Sequence, residues 1–264
     1  MVRRWCILGA MVALTAGAAL TTSSASAAAG PGAFSPGGPI HLVGNGPSHA
    51  GGIRHQATST NWSGYAGTTG TYSSVSASWT QPAGTCSRGD QYAAFWVGID
   101  GYSSNSVEQD GTLAECYHGT AYYYSWWEMY PANSVQTVGT SVRPGDSISA
   151  SVVRTGTSYN LSLTDSTRPA DSFTTTQTCS NCANSSAEWI AEAPSSSRGV
   201  LPLANFGTWT ESGATDKSGS TSGVISTFPD DEITMVDSSG LVKAQPGRLN
   251  GSGNGFTVTW ERTS

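Results

Sequence analysis

The chain has 264 residues, with 12 Lys and Arg against 18 Asp and Glu, and a formal net charge of −6. Three of the basic residues precede position 58 and all of the acids follow it, so the rest of the chain carries a net charge near −9. A domain with so few cations lacks the basic surface that nucleic acids require, and we expect no nucleic-acid partner.

The N-terminus has the features of a secretory signal peptide. Arg3 and Arg4 precede an apolar run over 7–20, and small residues follow up to Ala28. Because the apolar run is shorter than the ~20 residues needed to span a bilayer, we predict a cleaved signal over 1–28 rather than a membrane anchor. The sequence therefore predicts a secreted, extracellular protein that does not bind membranes.

Residues 29–58 differ in composition from the rest of the chain. They are rich in Gly, Pro, Ser and His and show no apolar periodicity, so this stretch cannot bury enough surface to fold alone. Its three histidines would become charged as the pH falls. We predict a propeptide or a disordered N-terminal segment over 29–58, followed by one large domain over 59–264.

Four cysteines remain after the signal, and an even number in a secreted chain indicates disulfides. They are Cys86, Cys116, Cys179 and Cys182, for which three pairings are possible. We expect Cys86–Cys116 and Cys179–Cys182, the second of which closes a tight loop. A C-x-x-C can also be redox-active or half of a zinc site, but the sequence has no second C-x-x-C or His pair to complete one.

The pattern beyond residue 58 is typical of an all-β protein. Long helical periodicity is absent, and short strand-like runs alternate with turn residues. Many strands joined by short turns favour two packed antiparallel sheets. The predicted strands are 75–79, 94–100, 121–130, 148–153, 159–163, 187–192 and 256–260.

Several familiar active sites can be excluded by counting residues. His118 is the only histidine after position 58, and it lies beside Gly119 in a predicted turn. A Ser-His-Asp triad or a Cys-His pair is therefore not expected, the latter also because the thiols are expected to be paired. No Gly-rich phosphate loop opens a helix. We expect no metal and no cofactor, which leaves carboxylates and amides as the reactive groups.

Four predicted segments place carboxylates or amides beside aromatic residues. Because side chains alternate along a strand, residues two apart share a face. A face with both aromatics and carboxylates resembles the floor of a substrate cleft, although each polar residue is also consistent with a solvated strand face, and Asp100 with the start of a turn. The four sets are Trp96, Gly98 and Asp100; Val107 and Gln109; Trp126, Glu128 and Tyr130; and Glu188, Ile190 and Glu192.

Six segments of this chain, in order, resemble the glutamic peptidases, also called eqolisins. The resemblance covers most of the chain from Asn61 to about Phe206. It implies a jelly-roll-like (concanavalin A-like) sandwich of two large antiparallel sheets, with a cleft on the concave sheet. It also implies a secreted acid endopeptidase that acts on polypeptides and is made with a propeptide; we expect a monomer. The segments are 61–65, 96–101, 107–112, 126–131, 144–148 and 187–192.

The resemblance assigns the catalytic pair to Gln109 and Glu192, the second acid of the Glu-Trp-Ile-Ala-Glu segment. The other acid, Glu188, shares the strand face and is easily mistaken for it. Family residues of the substrate cleft correspond to Trp96, Asp100 and Glu128, and we expect Trp126 to add an apolar wall.

One departure from the family concerns the cross-links. Fungal members carry a cysteine shortly after the Trp-Val-Gly-Ile-Asp segment, where this chain has Ser103 and Ser104. The cross-link near this segment must therefore differ, and the pairing of Cys86 with Cys116 stays open at this stage.

Two other functions fit a jelly roll with an aromatic cleft. In a glycoside hydrolase, Glu128 and Glu192 would be the two acids. In a non-catalytic glycan-binding module, Trp96, Trp126 and Trp127 would stack on sugars. Neither alternative gives Gln109 a role or explains the six segments in order, so the endopeptidase is the favoured function.

Overall fold

A computed structural model of the chain describes residues 48–49 and 56–264. The predicted signal peptide and most of the predicted 29–58 segment lie outside these residues. The first described strand is Ser48–His49, which pairs with the strand that follows it. That second strand starts at Gln56, three residues before the predicted start of the domain. None of the helices in these ranges is long and apolar enough to cross a membrane.

Strands make up most of the described chain, with two short 3-10 turns at Pro169–Asp171 and Ile225–Thr227. The strands, in chain order, are β1 (Ser48–His49), β2 (Gln56–Ser59), β3 (Trp62–Gly67), β4 (Tyr72–Thr80), β5 (Gln91–Ile99), β6 (Val107–Tyr117), β7 (Thr120–Tyr130), β8 (Asn133–Gly139), β9 (Ser147–Thr155), β10 (Ser158–Asp165), β11 (Phe173–Thr178), β12 (Ala187–Glu192), β13 (Ser195–Ser196), β14 (Gly199–Val200), β15 (Thr208–Ser218), β16 (Thr221–Gly223), β17 (Asp230–Val236), β18 (Val242–Pro246) and β19 (Phe256–Trp260).

The strands form two layers, which we call the front sheet and the back sheet. The front sheet has the order β8–β7–β6–β5–β12–β3–β17, with β2 on the other edge of β17. The back sheet has the order β11–β10–β9–β4–β15–β19–β18. Because β17 also pairs with β18, the ladder runs on from one layer to the other. The predicted architecture of antiparallel sheets is confirmed, with β2–β17 a parallel pair.

The hydrophobic core lies between the two layers. Alternation along β4 sends Val75, Ala77 and Trp79 into it, while the serines between them face outward. From the front sheet, Phe95 packs at 5.3 Å from the ring of Phe206, in an edge-to-face arrangement. Burial of these side chains from both layers, at about 25 cal/mol per Å² of apolar surface, holds the sandwich together.

Two disulfides confirm the expected cysteine pairing. Cys86–Cys116 joins the loop before β5 to the end of β6, and Cys179–Cys182 closes the connection that leads from β11 to β12. A carboxyl oxygen of Glu108 lies within 4.8 Å of both sulfurs of the second pair. Because these sulfurs are bonded to each other, they are not available as metal ligands.

Candidate active site

The two predicted catalytic side chains lie on the same face of the front sheet. Glu192 on β12 pairs with Ala94 on β5, and Gln109 on β6 pairs with Gly98 on β5. Directly opposed residues of an antiparallel pair point to the same side, as do residues four apart on one strand. Glu128 on β7 pairs with Gln109 and therefore joins them. This face is the side of the front sheet that points away from the back sheet.

Trp96 bridges the space between the two predicted catalytic residues. Its indole Nε1 donates to Glu192 Oε2 over 3.0 Å. The opposite edge of the ring lies above Gly98, where an added Cβ would be 2.8 Å from Trp96 Cζ3 and 3.1 Å from the Cβ of Gln109. One indole ring thus contacts the carboxylate at one edge and reaches the surroundings of the amide at the other.

Each carboxyl oxygen of Glu192 accepts a hydrogen bond. Asn61 Nδ2 donates to Oε1 over 3.0 Å, and Trp96 holds Oε2. Burial raises the pKa of Glu192 well above its usual range, and the nearby charge of Glu128 raises it further. The N–H donors oppose this change because they favour the ionised form. Burial and the N–H donors therefore act in opposite directions on the pKa of Glu192, which is typical of an acid–base group.

The side chain of Gln109 is held by Glu128. Gln109 Nε2 donates to Glu128 Oε2 over 2.9 Å, and both residues are buried. Because the Glu128 carboxyl attracts the amide nitrogen rather than the amide oxygen, it fixes which end of the Gln109 amide faces β7. Glu128, predicted as a residue of the substrate cleft, is thus in direct contact with Gln109, and its role toward substrate stays a prediction.

Aromatic rings form the apolar surroundings of this face. Trp62 meets Trp96 edge to face, with the ring centroids 5.1 Å apart. Trp126 lies opposite Gly111 and is fully buried. These rings belong to a second hydrophobic cluster on the front sheet, separate from the core between the layers. They supply a surrounding of low polarity, which strengthens the electrostatic interactions of the polar groups among them.

Asp100 does not share this face, so its predicted place on the strand with Trp96 is wrong. β5 ends at Ile99, and Asp100 has a φ of 72°, which interrupts the alternation of side chains. Its carboxylate accepts the backbone N–H groups of Asn184 (2.7 Å) and Ser185 (2.8 Å). The alternative of a turn residue is the one observed: Asp100 ties the end of β5 to the chain entering β12, and its role toward substrate stays a prediction.

Glu188 shares the face with Glu192 but has different neighbours. Burial raises its pKa well above the usual range, a contact with Ser186 lowers it, and the charges of Asp100 and Glu108 raise it. Glu108 itself has a pKa raised to about 9 by burial and by Asp100. Glu188 pairs with Gly98 at the other end of β12, away from the contacts that hold Glu192, whereas Glu108 pairs with Ile99 and points to the opposite side of the front sheet.

Asn61 is a contact of Glu192 for which the sequence predicted no role. Asn61 belongs to the first of the six segments that resemble the family, but that resemblance assigned it no chemical role. The triplet Asn61-Trp62-Ser63 also has the form of a glycosylation sequon. Because Asn61 is fully buried and its Nδ2 donates to Glu192, a glycan on this side chain is incompatible with the fold.

Gly111 is required where β6 passes the backbone of β5. A Cβ on this residue would collide with the carbonyl oxygen of Phe95 and lie 2.7 Å from the Cβ of Trp96. We expect Gly111→Ala to lower the free energy of unfolding by about 2–3 kcal/mol, since the neighbouring strand must shift. Urea unfolding at acid pH measures this. Gly251→Ala is the control, because a Cβ there has open space; equal stability of the two variants would contradict the close approach.

The fold and this face define a β-sandwich protein with an amide and a carboxylate set among tryptophans on one sheet. The sequence profile of the Peptidase A4 family matches residues 60–245. The chain therefore belongs to the Peptidase A4 family.

Individual relatives agree with this assignment. Aspergillopepsin-2 of Aspergillus niger is 28% identical over 173 residues, which is 64% of this chain and 59% of that protein. The aligned part thus spans under two thirds of the length of that relative. The crystal structure of aspergilloglutamic peptidase from Aspergillus niger covers 65% of this chain and 99% of its own, with 28% identity and a TM-score of 0.56.

The fold is also that of scytalido-glutamic peptidase, solved with a peptide-based transition-state analogue. That structure has a TM-score of 0.62 and 22% identity, and the match covers 76% of this chain and 98% of the other. At this level of identity the likeness shows the fold, and it agrees with the two-sheet arrangement described above.

Proposed function

We propose that this protein is a secreted acid endopeptidase in which Gln109 and Glu192 act together on a water molecule and a peptide bond. The observation that carries the proposal is the shared face of the front sheet, where the indole of Trp96 links the Glu192 carboxylate to the surroundings of Gln109. Membership of the Peptidase A4 family supports the reaction class.

In the proposed reaction, Glu192 is the acid–base group. Water is a weak nucleophile, and an ionised Glu192 would take its proton as the oxygen attacks the scissile carbonyl. The same carboxyl, now protonated, would then deliver the proton to the leaving amine. A single carboxyl that serves in both steps needs a pKa near the working pH. The opposing effects of burial and of the Trp96, Trp62 and Asn61 N–H donors on the pKa of Glu192 are suited to this requirement.

Gln109 supplies a neutral donor to the developing oxyanion. A primary amide carries two N–H bonds and no charge, so its function does not depend on pH in the acid range. The contact with Glu128 fixes the orientation of the amide before the reaction begins. Donors placed in advance at such a position contribute about 3–4 kcal/mol to catalysis in comparable sites. Trp96 and Trp126 would supply the apolar walls for a polypeptide substrate.

We also propose that the N-terminal part of the chain is removed on maturation, with 1–28 as the signal and 29–58 as a propeptide. Gln109 and Glu192 are fully buried, so a polypeptide reaches them only after a rearrangement at this face. The short strand β1, at Ser48–His49, pairs with β2 at the edge of the front sheet. A segment that joins this sheet is in a position to influence access to its face.

The function is tested by incubating the secreted protein at acid pH with casein and, in parallel, with a set of polysaccharides. We expect cleavage of casein within the chain, no change on addition of a chelator, and no release of sugar. Cleavage of a polysaccharide would instead favour the glycosidase alternative, with Glu128 and Glu192 as its acids. Binding of glycans without any cleavage would favour the binding module. Either result would contradict the proposed peptidase.

A further inference from the structure

Asn61 lies in the short connection that joins β2 to β3, next to the end of β12. Its backbone oxygen accepts the N–H of Ala193 over 2.9 Å, so the connection is hydrogen-bonded to the residue that directly follows Glu192. On the other side, Lys243 Nζ donates to the carbonyl oxygen of Thr60 over 3.3 Å. The main chain on both sides of the Asn61 side chain is thus fixed relative to Glu192.

The hydroxyl of Ser59 determines the orientation of the Asn61 amide. Ser59 Oγ accepts the backbone N–H of Asn61 (3.3 Å) and that of Trp62 (3.2 Å). A hydroxyl has two acceptor lone pairs and one donor hydrogen. With both lone pairs engaged, its hydrogen is donated to Asn61 Oδ1 over 3.1 Å. The amide oxygen therefore faces Ser59, and the amide nitrogen faces Glu192.

We propose that Asn61 is a positioning residue for the carboxylate of Glu192, and that Ser59 locks the Asn61 amide in the orientation that this requires. The proposal rests on the proposed function, because it concerns the residue that acts there as the acid–base group. It adds to that function a chain of three buried side chains, Ser59–Asn61–Glu192, in which each orients the next.

The fixed orientation has a chemical consequence for Glu192. Because the amide cannot turn its oxygen toward the carboxylate, Asn61 donates to Oε1 in both protonation states of Glu192. The proton that Glu192 takes from water must then bind at a lone pair that faces neither Asn61 nor Trp96. The two donors together thus determine which lone pairs of the carboxylate can accept a proton. They also favour the ionised form of Glu192.

Two charged groups lie near the Ser59–Asn61–Glu192 chain and could affect the ionisation of Glu192. Glu128 faces Glu192 from the same side of the front sheet, and its negative charge makes ionisation of Glu192 harder. Lys243 contacts the carbonyl of Thr60 rather than the carboxylate. Asn61 and Trp96 are bonded to the Glu192 oxygens, and together with the indole N–H of Trp62 they offset the charge of Glu128.

The test compares the pH dependence of kcat for casein-derived peptides in the secreted, matured protein and in Asn61→Ala. A hydrogen bond to a charged group is lost, so we expect kcat to fall about 10- to 100-fold with KM changed less than about threefold. The acid limb of the profile should move to higher pH by about one unit, because Glu192 without this donor stays protonated to higher pH. Ser59→Ala should move the limb in the same direction by less.

Asn160→Ala is the matched control, since Asn160 lies on β10 in the back sheet and bonds only Thr176 in the described contacts. An acid limb at the wild-type pH in folded Asn61→Ala, whatever its kcat, would overturn the inference, because a merely structural loss lowers the active fraction without moving the limb. If Asn61→Ala does not fold, the isosteric Asn61→Asp replaces it, with the same expected direction. Acid cleavage that persists in Glu192→Gln would instead reject the proposed function itself.

Discussion

Replacing Glu192 by Gln lowers kcat for casein cleavage at acid pH by at least about a thousandfold, because the amide of Gln cannot accept a proton from water. The substitution keeps the size of the side chain and an acceptor oxygen, so the fold is expected to survive. Urea unfolding at pH 4 should give a free energy within about 1 kcal/mol of the wild type. The measurement is the initial rate of release of acid-soluble peptides.

Glu188→Gln is the matched control for this prediction. Glu188 lies four residues earlier on the same face of β12, and it is equally buried. Its carboxyl lies near Ser186 rather than the donors Asn61 and Trp96, so we expect the activity of the variant to fall less than about tenfold. A loss of activity in Glu188→Gln with full activity in Glu192→Gln would show that the catalytic carboxylate had been assigned to the wrong residue.

The second prediction is that the protein is most stable in acid and loses stability as the pH rises. Burial raises the pKa of Glu108 to about 9 and that of Glu115 and Asp216 to about 7. Their values in an unfolded chain are about 4. Between pH 4 and these raised pKa values, the folded state therefore keeps protons that the unfolded chain has lost. Because the folded state binds more protons, its free energy of unfolding falls as the pH rises through this range.

We expect the free energy of unfolding to fall by at least about 3 kcal/mol between pH 4 and pH 8, since solvent screens part of the effect of each carboxyl. Urea unfolding followed by tryptophan fluorescence across this range measures it. Stability that rises over the same range would contradict the assignment of these carboxyls as protonated in the fold.

Glu211 offers a way to reduce this pH dependence. It is buried on β15, burial raises its pKa well above the usual range, and neither of its carboxyl oxygens has a hydrogen-bond partner among the described residues. Glu211→Gln, which stays neutral, should match the wild type at pH 4 and exceed it at pH 8. Glu261→Gln on the exposed C-terminal segment is the control, and it should leave the slope unchanged.

The strands best predicted from sequence are those in which apolar and polar residues alternate regularly. The run 75–79 became the middle of β4, and 187–192 matches β12 at both ends. In both, apolar residues at every second position are buried against the other layer, so the local pattern and the tertiary packing agree. β15 was not predicted, because its buried side includes Glu211 and Asp216 and a bulge interrupts its register with β4.

The grouping of the site residues needed information beyond local pattern. Alternation correctly placed Glu188 and Glu192 on one face, and resemblance to a family selected between them. No local signal shows that β12 lies between β3 and β5, since this pairing joins residues at least 88 positions apart in the chain. For the same reason the contact of Asn61 with Glu192, across 131 residues, could not be predicted. Asp100 was misplaced because its left-handed backbone conformation ends the strand one residue early.

The central claim is tested most directly by a crystal structure of the matured protein with a peptide mimic that carries a tetrahedral hydroxyl centre in place of the scissile carbonyl. We predict that the mimic lies on the face of the front sheet, with one oxygen within hydrogen-bond distance of Gln109 Nε2 and another within reach of the Glu192 carboxylate. A tetrahedral centre bound on that face but contacting neither residue, or contacting Glu188 instead of Glu192, would contradict the account.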